Sequence, residues 1–253
     1  GYILYLTVIY AATGVHPLAA RLAGAVLTGI LLPWMVYRLA RRLFPGQETV
    51  SLVAAGCGAV YAYFVLYGAT LMTESYYIIG LLWSLERAIA LAEEPTWAHG
   101  LVLGLGLGTA TLLRQSILPW IVVLGLWLLW VSWRSGKVRA MATALSVSAV
   151  VVMLFILPFT IRNYLVYDEF LLLNSNAGYA MYSAQHPMHG TQFQEFAAAP
   201  VPADLRGLNE AQLDRELMRQ GIDFVLAEPG RYLLLSLSRV PDYFEFWPTP
   251  DTT

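Results

Sequence analysis

The sequence predicts an all-α protein, a polytopic bundle of about six transmembrane helices followed by a partly helical extramembrane segment. Of its 253 residues, 58% are hydrophobic and only 13% are charged, about half of the roughly 25% that is usual in soluble domains. Residues 1–158 carry nine basic and five acidic side chains, whereas residues 159–253 carry six basic and twelve acidic ones. This shift predicts a transmembrane domain over 1–158 and an acidic extramembrane segment over 159–253.

The composition excludes two broad classes of protein. Residues 1–158 supply too little polar surface for a water-soluble enzyme, and the chain has no basic patch that could follow the phosphates of a nucleic acid. The single cysteine, Cys57, excludes a disulfide within the chain. The sequence begins at Gly1, partway into an apolar stretch, and we expect it to be an internal piece of a longer protein.

Six apolar segments approach the roughly 20 residues that a helix needs to cross about 30 Å of hydrocarbon. In order along the chain they cover residues 18–43, 48–66, 73–92, 97–113, 117–133 and 139–158. The opening stretch 2–13 is shorter, and it is either part of a span or a helix on the membrane surface. In the fourth segment Gly100, Gly104 and Gly108 recur every four residues, which predicts a smooth face for close helix packing.

The basic residues predict which ends of the spans face the cytoplasm. If the spans alternate in direction, seven Lys and Arg residues in and beside the short loops fall on the same side of the membrane. This set is Arg38, Arg41, Arg42, Arg87, Arg134, Lys137 and Arg139. Because an excess of Lys and Arg marks cytoplasmic loops, residues 159–253 are predicted to be extracytoplasmic.

Residues 159–253 are predicted to be partly helical and to lead towards a further span. Residues 174–178 favour a turn-rich loop. Asn209 followed by Gln212 favours the start of an amphipathic helix, which we expect to end near Ala227, before Pro229. Residues 231–240 form another apolar segment.

Charged residues at the outer ends of the spans are the candidates for chemistry, because an ionisable group in apolar surroundings is costly unless it is used or paired. Glu74 lies at the outer start of the third span. It either stabilises the first helical turn, with Thr73 as the cap, or faces an outer cavity as a carboxylate that contacts a substrate. The sequence leaves both interpretations open.

Arg114 lies between the fourth and fifth spans, and Arg162 and Asn163 follow the sixth on the same predicted side. A guanidinium at this level suits a phosphate, which it binds through paired hydrogen bonds. The alternative for each arginine is interfacial anchoring, with the charged head reaching towards water. Together with Glu74, the two arginines suit a lipid phosphate that carries a polar sugar.

His186 and His189, with Glu195 further on, are residue types that bind metal ions. Two histidines in a loop more often have no such role. We therefore expect no metal and no other cofactor.

Several short motifs occur along the chain in the same order as in a known group of enzymes, which this sequence resembles. In chain order they are Ala20-Arg21-Leu22, Tyr37-Arg38-Leu39-Ala40-Arg41-Arg42-Leu43-Phe44, Leu71-Met72-Thr73-Glu74, Leu112-Leu113-Arg114-Gln115, Pro158-Phe159-Thr160-Ile161-Arg162-Asn163-Tyr164, Asn174-Ser175-Asn176-Ala177-Gly178-Tyr179 and Leu226-Ala227-Glu228-Pro229-Gly230-Arg231-Tyr232. The ordered set resembles GT-C type membrane glycosyltransferases, in the group of protein O-mannosyltransferases and aminoarabinose transferases (glycosyltransferase family 39-like). The motifs extend over most of the chain.

The resemblance implies transfer of a sugar from a polyprenyl-phosphate carrier to an extracytoplasmic lipid, glycan or protein acceptor, in the plasma (inner) membrane. It implies a catalytic base upstream of Gly1, so we expect this chain alone to be inactive. Glu74 matches a second acidic residue that lines the family's active-site cavity, and Arg114 and Arg162 match recurring basic positions. We infer that these arginines, with Asn163, bind the donor phosphate.

Two functions of other classes remain alternatives. The outer charges would line a substrate path in a transporter or flippase subunit, and they would have no chemical role in a non-catalytic protein of envelope assembly. Paired broken helices in the two halves of the chain would favour transport. An acidic pair shortly before Gly1 would favour the transferase.

Overall fold

The computed structural model of the chain describes residues 2–192 and 197–241, and within these ranges it contains helices and no β-strand. The predicted all-α membrane bundle is therefore confirmed. The chain divides into two compact units, Gly1–Pro158 and Phe159–Thr253.

The first unit consists of apolar helices joined by short turns. They are α1 (Tyr2–Thr13), α2 (Pro17–Leu43), α3 (Glu48–Val60), α4 (Ala62–Gly68), α5 (Glu74–Glu93), α6 (Trp97–Leu113), α7 (Leu118–Arg134, preceded by a 3₁₀ turn Gln115–Ile117) and α8 (Val138–Tyr167). Helix α8 continues past the unit boundary at Pro158. Every segment predicted to span the membrane is helical.

Fewer helices than the predicted six are long and apolar enough to cross a membrane. In the described ranges three qualify, Pro17–Leu43, Gln115–Arg134 and Val138–Tyr167, and α3 with α4 makes a fourth if the pair crosses as one broken span. Helix α6 has 17 residues, and the 20-residue α5 carries the charged pair Glu86-Arg87. Helix α6 is therefore too short, and α5 too charged, to meet the length and composition criteria for a membrane span.

The predicted second span, 48–66, is two helices rather than one. Helices α3 and α4 meet at Tyr61 with a bend of 55°. Gly58 of α3 lies where an added Cβ would be 3.4 Å from Val36 of α2, and a Cβ at Gly68 would be 2.6 Å from the Thr28 hydroxyl. Both helices thus pack against α2, and the break allows each of them to do so.

Contacts between helices show that the first unit's helices alternate in direction. Helix α3 runs antiparallel to α2, since the Tyr37 hydroxyl near the end of α2 donates a hydrogen bond to the Glu48 carboxylate at the start of α3. Helix α5 runs parallel to α2, because Arg42 donates to Glu93 at 2.5 Å near the end of both helices. Lys137, which precedes α8, donates to the Glu93 carbonyl at 3.4 Å, so the turn before α8 lies at this same end.

The glycine face predicted for the fourth span is confirmed. Gly100, Gly104 and Gly108 of α6 face α8, and a Cβ at Gly104 would lie 2.8 Å from the Ser148 carbonyl oxygen. At Gly108 the same added atom would be 2.8 Å from the Phe155 ring. The absence of side chains at these three positions lets the two helices approach closely.

The second unit is organised around α9 (Ala177–Gln185), α10 (Glu210–Ala227) and α11 (Pro229–Ser238). The predicted start of α10 is confirmed, because Asn209 and Gln212 form a reciprocal capping box. A Cβ at Gly178 would overlap the backbone of Asp214, so α9 and α10 touch there. Burial raises the pKa of the Asp214 carboxyl above its ordinary value, although the backbone amides of Gly178 and Tyr179 oppose the shift.

Candidate functional site

Glu74 and Arg114, two of the predicted site residues, form an ion pair. Glu74 is the first residue of α5, and Arg114 directly follows α6, which packs against α5 in the opposite direction. Arg114 donates from Nη2 to Glu74 Oε1 across a sequence separation of 40 residues. The two side chains are 44% and 29% exposed, so the pair stays open to a ligand from outside the bundle.

The capping interpretation of Glu74 is only partly met. Thr73 does precede the helix, but its side chain makes no capping hydrogen bond in the described chain. Glu74 does lie in the first turn, and Arg114 lies at the end of α6, so each charge complements the dipole of its own helix. The side-chain contact of the Glu74 carboxylate is therefore with Arg114 of another helix.

A large aromatic cavity lies near this ion pair; its lining includes chain neighbours of both residues but neither Glu74 nor Arg114 itself. Its volume is about 560 Å³. Tyr76 lies half a turn after Glu74, and Leu112 and Leu113 directly precede Arg114. We call it the tyrosine cavity; its lining is Tyr2, Tyr5, Leu31, Trp34, Met35, Arg38, Tyr76, Ile79, Gly80, Trp83, Thr109, Leu112, Leu113 and Phe155.

Three tyrosine rings line one side of the tyrosine cavity. The ring centroids of Tyr5 and Tyr76 are 5.2 Å apart, and Tyr2 stands 5.6 Å from Tyr5 and 5.7 Å from Tyr76. Tyr5 donates its hydroxyl to the Ala20 carbonyl at 2.6 Å. With Trp34 and Trp83 they give a wall of flat apolar faces, which suits a hydrocarbon chain or the face of a sugar ring. These tyrosines are not among the predicted site residues, because their contact joins helices far apart in the chain.

At the opposite end of α2 and α5, arginines surround the buried carboxylate of Glu86. Arg38 and Arg42 donate to Glu86 Oε1 at 3.3 and 3.1 Å, and Arg87 forms a forked pair with both carboxylate oxygens. Glu86 is 2% exposed. Glu86 is not among the predicted site residues, although an acid followed by Arg87 inside an apolar segment is the signal that marks such a site.

Arg162 and Asn163, the other predicted phosphate ligands, belong to the second unit. Asn163 is buried, and its amide donates to the carbonyls of Leu171 at 3.2 Å and Leu173 at 2.9 Å. Its Oδ1 accepts a hydrogen bond from Arg162 Nη1 at 3.1 Å. Asn163 therefore fixes the loop after α8 and orients Arg162, whose side chain is exposed.

A carboxylate that the sequence analysis did not consider lies near Arg162. Glu210, at the start of α10, accepts hydrogen bonds from Ser175 and, at 2.7 Å, from the Tyr167 hydroxyl. These bonds, from Ser175 and then Tyr167, hold the pKa of the Glu210 carboxyl below its usual value, and the charge of Arg162 contributes in the same direction. The convergence of Arg162 with Glu74 and Arg114 stays a prediction, because the two sets belong to separate units.

The two histidines of the second unit make contacts within the protein. His186 accepts from the Met188 amide at 3.2 Å and packs edge-on against Tyr182 and Phe224. His189 is buried, and its Nε2 lies 3.0 Å from the Ser183 carbonyl. Glu195 lies outside the described residues, and within them no group of three or more His, Cys, Asp or Glu side chains could hold a metal ion.

Comparison with known proteins supports one family. Residues 2–161, more than half of the chain, match the family model for dolichyl-phosphate-mannose-protein mannosyltransferase. The match contains Glu74 and Arg114 and ends one residue before Arg162. No curated protein and no solved structure matches the chain. The resemblance to GT-C type glycosyltransferases is thereby confirmed.

Proposed function

Because the chain belongs to the dolichyl-phosphate-mannose-protein mannosyltransferase family of membrane glycosyltransferases, we propose that it acts in transfer of a sugar from a polyprenyl-phosphate donor to an extracytoplasmic acceptor. The acceptor is a lipid, a glycan or a protein. The family's name makes a mannosyl donor the first to test. Family membership also favours this function over transport and over a non-catalytic role in envelope assembly.

The observation that carries the proposal is the Glu74–Arg114 ion pair near the tyrosine cavity. In sugar transfer from a lipid phosphate, the phosphate is the leaving group and gains negative charge in the transition state. A guanidinium held next to that oxygen lowers the barrier, because its charge is already in place when the bond breaks. Arg114 is such a cation, and Glu74 holds it in position.

The tyrosine cavity supports a donor that combines a hydrocarbon chain with a sugar. The aromatic and aliphatic side chains that line it can pack against the hydrocarbon chain of the donor. The ion pair supplies the polar contacts near the cavity. We therefore place the phosphate–sugar linkage at Glu74 and Arg114, and the first isoprene units in the cavity.

Arg162 is proposed as a second cation for the donor phosphate, and Asn163 as the residue that positions it. The exposed Arg162 has its guanidinium tethered to Asn163 Oδ1 at 3.1 Å, which lowers the entropy lost when it binds an anion. Glu74 serves as a cavity carboxylate that contacts the sugar. The base that takes the acceptor's proton is assigned to no residue of this chain. The active side is proposed to face away from the cytoplasm, in the plasma membrane.

Two substitutions in the full-length protein test this assignment. Arg114→Gln removes the cation and should lower turnover of polyprenyl-phosphate mannose by about 10²-fold or more, the usual loss when a group that stabilises developing charge is removed. Glu74→Gln retains a polar side chain in the first helical turn, so a loss of turnover there reports on the carboxylate itself. The measurement is transfer of radiolabelled mannose, with donor affinity determined separately.

Matched controls distinguish a chemical role from a general loss of charge. Arg139→Gln and Glu94→Gln remove the same charges from exposed positions at the other end of the helices, and turnover should stay at the wild-type rate. Wild-type turnover in both Arg114→Gln and Glu74→Gln, with the fold intact, would refute the site. An unchanged rate in Glu74→Gln alone would return this residue to a structural role.

A further inference from the structure

Arg38 lies between two cavities of opposite character in the first unit. One is the tyrosine cavity, and the other has a volume of about 430 Å³. The Arg38 guanidinium carbon lies 5.1 Å from the Trp34 ring centroid, and Trp34 also lines the tyrosine cavity. We call the second cavity the arginine pocket; its lining is Tyr37, Arg38, Arg41, Arg42, Pro45, Glu86 and Glu93.

The arginine pocket has an excess of positive charge. Three arginines and two carboxylates line it. Outside the lining, Arg87 on Glu86 adds a cation and Glu48 beside Arg41 adds a carboxylate, so one positive charge is in excess. Glu86 is buried, and it holds Arg38 and Arg42 in fixed positions at the pocket wall. A buried carboxylate that anchors several guanidinium groups gives a rigid cationic site that is already formed before a ligand binds.

Arg41 is the member of the pocket most available to a ligand. Its side chain is 60% exposed. Its contacts within the protein are long, 3.5 Å to the Tyr37 hydroxyl and 3.7 Å to Glu48. Such contacts between exposed groups contribute little energy, so an anion of higher charge density is able to replace them.

From these contacts we infer that the arginine pocket binds the phosphate of an anionic phospholipid whose acyl chain lies in the tyrosine cavity. The two cavities share Arg38 as a lining residue. A molecule that fills both needs a phosphate for the arginine pocket and a hydrocarbon chain for the tyrosine cavity. A net negative headgroup matches the charge of the lining, whereas the choline cation of a zwitterionic lipid is repelled by it. Basic pockets between membrane helices are suited to such headgroups.

The inferred phosphate site is distinct from the proposed catalytic one, although the phospholipid's acyl chain and the donor's isoprene units would compete for the same tyrosine cavity. It lies towards the end of α2 and α5 at which Arg42 pairs with Glu93, whereas Glu74 is the first residue of α5. Its test measures lipid binding and involves no sugar transfer. A failure here would leave the proposed glycosyltransferase function untouched, and the reverse also holds.

The experiment measures lipid retention by the purified protein in detergent, using native mass spectrometry and thermal unfolding. Phosphatidylglycerol should bind and raise the Tm, whereas phosphatidylcholine and inorganic phosphate at equal concentration should not. Arg41→Gln should weaken phosphatidylglycerol binding about fivefold, as expected for one basic group at an anionic headgroup. Arg139→Gln, an exposed arginine outside the pocket, is the matched control and should bind as the wild type does.

The chain-binding half of the inference has its own pair of variants. Leu31→Trp fills part of the tyrosine cavity and should weaken phosphatidylglycerol binding severalfold, whereas Leu27→Trp, one turn earlier on α2 and outside the lining, should not. Equal retention of phosphatidylcholine, an equal effect of inorganic phosphate, or retention of polyprenyl phosphate alone would each overturn the inference. The same conclusion would follow if Arg41→Gln bound as tightly as Arg139→Gln.

Discussion

The contact between Glu74 and Arg114 changes the interpretation of both residues. Considered alone, the glutamate is explained by its helix terminus and the arginine by the membrane interface. Paired across 40 residues, they form a dipole near a cavity, and each offsets the other's cost of leaving water. In the proposed function, a donor phosphate that binds Arg114 would compete with Glu74, and the Glu74 carboxylate would then be free to accept a hydrogen bond from a sugar hydroxyl.

Asn163 provides a test of positioning against direct ligand binding. Asn163→Ala removes both donors to the loop carbonyls of Leu171 and Leu173, which lie at a partly buried site. We expect unfolding to become easier by about 1–3 kcal/mol, the usual cost of unsatisfied buried polar groups, measured from thermal unfolding. Asn174→Ala, at an exposed position nearby, is the control. A loss of donor binding in Asn163→Ala with unchanged stability would instead support direct contact with phosphate.

At the level of single residues, the sequence identifies charges but not their partners. Glu74 and Arg114 stood out because each is ionisable at the outer end of a span, yet their contact depends on the antiparallel packing of α5 and α6. Glu86 went unnoticed, because its partners Arg38 and Arg42 lie 48 and 44 residues away. Local spacing carries no information about such pairs.

Among the helices, the close packing of α6 on α8 supports a sharp prediction. A methyl group added at Gly100 would overlap the Ala144 carbonyl of α8, and backbone is unable to move aside as a flexible side chain does. We expect Gly100→Ala to destabilise the protein by about 1–3 kcal/mol, the range for overpacking. Gly125→Ala is the matched control, since an added Cβ there has no neighbour within 4 Å. The measurement is thermal unfolding in detergent, and equal Tm values for the two variants would contradict this packing.

The positions of the helices were largely predictable, whereas their breaks were not. Apolar length places α2, α7 and α8, and the Asn209–Gln212 capping box places α10, because both signals are local. The bend at Tyr61 has no proline to mark it. It accompanies the contacts of α3 and α4 with α2, which arise only after folding. Helix α8 also runs on to Tyr167, past the predicted end at 158, since Pro158 does not stop the helix.

For the whole molecule, alternating helix direction gathers most basic groups of the first unit, although not Arg21 and Arg114, at one end. Arg42 and Lys137 both reach Glu93, and Arg87 lies near the same end of α5. The loops therefore carry the asymmetry on which the positive-inside rule depends. The ion pair of Glu74 and Arg114 lies at the opposite end, where the proposed function needs the donor phosphate.

Cysteine labelling of intact cells tests both the sidedness and the convergence of the proposed phosphate ligands. In a Cys57→Ser background, Ser116→Cys, two residues after Arg114, and Arg162→Cys should react with a membrane-impermeant maleimide from outside. Ser135→Cys, in the turn before α8, should react only after the membrane is permeabilised, because this turn lies at the basic end. If Ser116→Cys and Arg162→Cys reacted from opposite faces, the two arginines could not bind the same phosphate. The proposed site would then reduce to Glu74, Arg114 and the tyrosine cavity.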